Sequence, residues 1–212
     1  MNPQFPFKTG YIITQGYFDN ANNYPDGKHA ALDIVPQDPK THLPFPADIY
    51  PIFSGKTLSV QNTDKDRGKG IRIRSEHTDT QFISYLKSKN VVPQGYNGKI
   101  VIDELHWHCL EVTDLDGKID QNIPVARAGN TGDVWSQGSP VPDHQKGNPP
   151  YPGLHEHLET AIRDENLQLF NIDKDKWGRI DPFIILNYIP MDSFKSKTKK
   201  QSSFCSKANI TR

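Results

Sequence analysis

The sequence predicts an all-β domain, mostly antiparallel, with few short helices. Three observations carry this. Isoleucine outnumbers leucine by 19 to 12, and β-branched side chains suit the pleated, half-buried surface of a strand. Turn formers are abundant, 17 proline and 15 glycine, and they punctuate short apolar runs nearly throughout. The run Ile71, Arg72, Ile73, Arg74 alternates strictly, which puts the isoleucines on one face and the arginines on the other.

In chain order, strands are expected over residues 11–14 (YIIT), 31–35 (ALDIV), 57–60 (TLSV) and 71–74. A longer one runs from Lys99 to Leu110, followed by 124–127 (PVAR) and 155–159 (HEHLE). Residues 80–87 and 182–188 offer the two short helices. No repeat or interior linker divides the chain, so residues 1–192 are expected to form one domain. The rhythm breaks between Gly132 and Leu154, where residues 133–153 are rich in glycine and proline. A loop this long inside a compact domain has a functional or a mobile role.

The formal net charge is zero, 25 basic against 25 acidic residues. Residues 193–212 carry Lys195, Lys197, Lys199, Lys200, Lys207 and Arg212 with no acid, leaving a body of −6 and a tail of +6. The tail could touch a polyanion such as nucleic acid, membrane or an anionic cell-wall polymer, but reads more simply as a solvated, flexible end. No nucleic-acid partner is expected, and no apolar run is long enough for a transmembrane helix. Two cysteines, Cys109 and Cys205, make no disulfide framework. The first residues lack the apolar stretch of a secretory signal, which leaves cytoplasmic work, another export route or a trimmed leader.

The eight histidines cluster. His29 and Asp33 stand four apart, His106 and His108 two apart, and His155 and His157 two apart. Residues two apart on a strand share a face, so each His-x-His presents two imidazoles to one side. Imidazole and carboxylate suit Zn²⁺, whose catalytic sites take three protein ligands and keep one position open.

The order His-x-x-x-Asp, central histidine, Gly129-Asn130-Thr131-Gly132, then His-x-His resembles the lysostaphin-type (M23) zinc metallopeptidases. The resemblance covers almost the whole chain. Residues 12–17 resemble the family's opening strand and turn, residues 27–34 its first metal motif, and residues 44–47 with Gly55 the following hairpin. Residues 117–132 resemble the segment before the final motif, Leu154 to Glu159 stand where the family has His-Leu-His-Phe-Glu, and Ile180-Asp181-Pro182 resembles its closing Asp-Pro.

The resemblance implies a two-sheet β scaffold of the duplicated-hybrid-motif type, with His29, Asp33 and His157 as zinc ligands. It makes His155 and one of His106 and His108 the catalytic histidines. His108, which precedes Cys109-Leu110, fits the family pattern better, and His106 is left to contact substrate or water on the same groove. Tyr24 is a candidate hydroxyl donor near the metal. The implied function is zinc-dependent endopeptidase action on the stem or cross-bridge peptides of peptidoglycan, outside the cell or at the cell wall. The alternatives are a non-catalytic regulator or wall-binding module on the same scaffold, and a zinc amidase. Two departures stand out: the long loop over 133–153, expected to wall one side of the groove, and Glu156 inside the final pair, expected to point away from the metal.

Other features read more simply. His42, His77 and His144 are expected at the surface or in loops, and Cys109 as a buried free thiol. The stretch from Asp173 to Asp181 mimics a calcium loop but has Ile184 where the bidentate glutamate belongs, so it reads as a turn. Asn209-Ile210-Thr211 matches a glycosylation sequon by chance.

Overall fold

The computed structural model describes residues 2–19, 28–113, 117–170 and 178–188. Tyr24, Cys205, residues 171–177, the basic tail and the sequon lie outside these residues.

The seven expected strands form and six two-residue strands join them: β1 (Gly10–Gln15), β2 (Leu32–Gln37), β3 (Asp48–Ile49), β4 (Gly55–Asp64), β5 (Gly68–His77), β6 (Ile100–Cys109), β7 (Glu111–Val112), β8 (Lys118–Ile119), β9 (Ala126–Arg127), β10 (Trp135–Ser136), β11 (Ser139–Pro140), β12 (Glu156–Arg163) and β13 (Arg179–Ile180). The two-residue strands β3, β7, β8, β10, β11 and β13 have no sequence period to announce them; neighbours decide them. Both helices form as well, α1 (Thr80–Ser88) and α2 (Pro182–Leu186).

The large sheet runs β1-β2-β12-β6-β5-β4-β8, with β13 on β12, and every pairing in it is antiparallel. A three-stranded sheet, β3-β9-β7, and the hairpin β10-β11 complete the architecture. An antiparallel sheet can bury one face and leave the other wet. Here Leu32, Ile34, Ile71, Ile73, Ile100, Ile102, Leu158 and Ile162 all enter the core, from four central strands. The helix α1 adds Phe82, Ile83 and Leu86, and β3 and β9 add Ile49 and Ala126.

Side-chain caps set where the helices begin. Asp79 accepts from the N–H groups of Gln81 and Phe82, and Asp181 accepts from Phe183 with Pro182 at the first helical position. The Asp-Pro pair near the end of the sequence is therefore a helix start. His42 and His144 are exposed as expected, and Cys109 is a buried free thiol. His77 is not a surface residue. It is 3% exposed, stacked edge-on against Phe53 and Phe82 and hydrogen-bonded to Ser75, because it falls on the inward phase of β5 with Ile71 and Ile73.

Candidate metal centre

The site is built on neighbouring strands of the large sheet. Register places His157 of β12 directly opposite Asp33 of β2 on one side and Trp107 of β6 on the other. His29 precedes β2 by one turn of chain and is wholly buried. His29 Nε2, Asp33 Oδ1 and His157 Nδ1 form a near-equilateral triangle: 3.2 Å from His29 to His157, 3.2 Å from His29 to Asp33 and 3.0 Å from His157 to Asp33. Donor atoms about 2.1 Å from a tetrahedral zinc lie about 3.3–3.4 Å apart, so this triangle is close to the size zinc needs.

Partners outside the triangle set the tautomers. The other nitrogen of His29, Nδ1, donates to Gly16 O at 3.1 Å, and the other nitrogen of His157, Nε2, faces Glu159 Oε1 at 3.4 Å. With these outer partners each ring would turn a lone pair inward once a metal took the place of the ring proton that now faces Asp33, the arrangement that metal-binding histidines need. Burial by itself would raise the Asp33 carboxyl, but His155, His157 and His29 hold it well below the usual carboxylate range. Burial likewise pushes His157 down, and Asp33 and Glu159 outweigh it, raising the ring to about 9. Glu159, the second orienting group on this face, was legible in the period of two that joins it to His157, but its role was not.

Beside the triangle stand two more imidazoles. His155 Nε2 is 3.8 Å from Asp33 Oδ1, and its Nδ1 donates to Gly153 O at 2.8 Å. His108 Nδ1 donates to Thr131 O at 2.7 Å. The His108 ring centroid lies 4.7 Å from that of His155 and 5.7 Å from that of His157. Burial, then the neighbouring His155 and His157, holds His108 well below the ordinary histidine range. One nitrogen each from His108, His155 and His157 also falls within 4.8 Å of the others.

The expectation that His106 and His108 share a face is not met. His106 lies on the core side with Glu156 and Glu104, wholly buried, and reaches neither the triangle nor the groove. The reason is a β-bulge. Lys69 pairs with Cys109 and Ile71 with His106, so Trp107 and His108 together oppose the single residue Gly70. His108 takes φ 62°, which swings its ring to the open face. Gly70 makes this possible, since a Cβ there would sit 2.2 Å from the Trp107 ring. Glu156 does point away from the triangle, as its phase requires.

The loop over 133–153 runs from the Gly129–Gly132 turn to this site. Wholly buried Asn130 holds it, accepting from Gly147 N at 2.7 Å and donating to Pro152 O at 2.9 Å. Its last residue, Gly153, is the partner of His155.

The sequence matches no protein-family model and none of the curated proteins compared with it. Solved structures do match. A zinc-containing peptidase from Vibrio cholerae superposes with a TM-score of 0.51 at 15% identity, over 90% of this chain and 41% of that one. The chain has the fold of a zinc peptidase. The catalytic domain of the antimicrobial peptidase lysostaphin from Staphylococcus simulans gives 0.49 at 13% identity, over 84% of this chain and 93% of that one. The SpoIIQ–SpoIIIAH pore-forming complex gives 0.47 at 14% identity, over 92% and 96%. The likeness to the Vibrio cholerae peptidase is one of fold alone. No helix among the described residues is long and apolar enough to cross a membrane.

Proposed function

We propose that this protein is a zinc-dependent endopeptidase that hydrolyses peptide bonds in bacterial peptidoglycan. The observation that carries the reading is the triangle of His29, Asp33 and His157 donor atoms with two further imidazoles beside it. The three residues fit zinc in type, number and spacing, and leave a side open. Bound there, zinc supplies a Lewis acid that polarises a scissile carbonyl and makes water acidic.

The chain's own residues supply the rest. His108 is kept uncharged, and its Nδ1–H is committed to Thr131, so Nε2 is left to accept a proton from water. His155, fixed by Gly153, presents Nε2 on the Asp33 side, beside the place a scissile carbonyl would take next to the triangle. The wall substrate and action outside the cell come from the family resemblance and from lysostaphin, an antimicrobial peptidase by its own description. The test is digestion of purified peptidoglycan with and without chelator, with products read by mass spectrometry. New peptide amino termini that vanish with chelator support the reading. Release of whole stem peptides from the glycan makes the protein an amidase, and intact wall in both arms makes it a binding module.

A further inference from the structure

The open face of the large sheet carries a second cluster, away from the triangle. Asp103 pairs in register with Arg74 on β5 and with Ala161 on β12. Ala161 is four residues along β12 from His157 and on the same face. At about 3.3 Å per residue the cluster lies roughly 13 Å from the triangle. Asp103 is wholly buried and gathers three arginines: Arg72 Nη2 at 2.5 Å, Arg74 Nε at 2.6 Å and Nη2 at 2.9 Å, and Arg163 Nε at 3.0 Å.

One arginine is enough to neutralise one carboxylate. Three cations on one anion leave an excess of two charges, and like charges held together repel. Besides Asp103, the carboxylate acting on Arg74 is Glu76. Glu76, on the same face, is engaged by Lys99 at 2.7 Å, and Lys56 pairs in register with Arg74 and adds another cation. Among the described residues Asp103 is the only carboxylate paired with these three guanidinium groups. Their remaining N–H donors exceed what Asp103 accepts, and Arg72 Nε is buried without a hydrogen-bond partner. The Arg72 and Arg163 side chains stay 32% and 22% exposed, so the donors are within reach of a ligand.

We propose that Arg72, Arg74 and Arg163, locked in place by Asp103, form a carboxylate-binding subsite that takes an acidic group of the peptide substrate. The proposal rests on the peptidase reading of the His29–Asp33–His157 site. Planar guanidinium forks match a carboxylate in two-point geometry, and an extended peptide of about four residues spans from the triangle to the cluster. The subsite would favour substrates with a free chain end or acidic side chain at that distance from the cut bond.

The test is titration of the ¹⁵N-labelled protein at low salt, reading the arginine Nε–H resonances. The probes are N-acetylated pentaglycine with a free carboxyl end, its carboxyl-end amide, and inorganic phosphate. The acid should bind about fivefold or more tighter than the amide, and the difference should vanish in Arg72→Gln/Arg163→Gln. Arg163→Gln alone, which leaves two arginines on Asp103, is the fallback if the double variant does not fold. In wall digestion the same variants should raise KM about fivefold or more with kcat within about twofold. Equal binding of acid and amide by the wild type overturns the proposal, as does phosphate binding as tightly as the acid, which marks a site for small anions only. Absence of chelator-sensitive hydrolysis in the wild type defeats the peptidase reading instead, and the titration still decides the subsite.

Discussion

His106 donates from Nδ1 to Glu156 across β6 and β12, on the opposite side of the sheet from the neighbouring His157. Glu104 closes the other side of the ring, 3.4 Å from Nε2, and also accepts from the Ile52 N–H at 2.6 Å. All three side chains are buried. Burial opposes charge on His106, but the two carboxylates outweigh it and raise the ring to about 9. With the folded value above the unfolded one, this contribution to stability is fully present below about pH 6.5 and fades as pH rises through 9.

Replacing His106 by alanine strands two carboxylates in the core. His106→Ala should therefore lose about 3–5 kcal/mol of unfolding free energy, read by urea denaturation at pH 6. A loss under about 1 kcal/mol would mean that the carboxylates simply take up protons and the clamp matters little.

The purified protein should hold one zinc per chain, because His29, Asp33 and His157 offer one three-donor set with an open side. His29→Ala and Asp33→Ala should each lose it on dialysis, as elemental analysis reads directly. Zinc retained at the wild-type ratio in both variants would move the metal to His108, His155 and His157, whose nitrogens also converge.

His108→Ala should keep its zinc yet lose about 10²–10⁴-fold in kcat on wall fragments, since it removes a proton acceptor and no ligand. Unchanged turnover would shift the base role to His155.

His77 makes the fold acid-sensitive. Burial lowers its ring from 6.5 to about 4. Above pH 6.5 the folded and unfolded chains are alike at this site. As pH falls from 6.5 to 4 only the unfolded chain takes up the proton, so stability drops by about 3 kcal/mol and then levels off. His77→Phe should flatten that limb in thermal melts across pH 4–7. An unchanged slope would place the acid sensitivity elsewhere.

Much of this molecule was legible in the chain alone. β-branched runs between glycine and proline announce most of the long strands, and the alternation of Ile71, Arg72, Ile73 and Arg74 says which face of β5 is dry. Spacing pairs His29 with Asp33, while His157 joins them only through the resemblance to the lysostaphin-type family. Strand phase is a local property, because side-chain direction along a regular strand depends only on the count of residues. The same count fails at His108. The period of two places it with His106, whereas the bulge opposite Gly70 and φ 62° turn it to the other face. A bulge is decided by how two distant strands pair, and Gly70 is 38 positions from His108 in sequence. The buried clamp on His106 and the three arginines on Asp103 are of the same kind. Each residue is an ordinary strand position until antiparallel pairing sets β5, β6 and β12 side by side, and charges far apart in sequence become neighbours in a medium that screens them poorly.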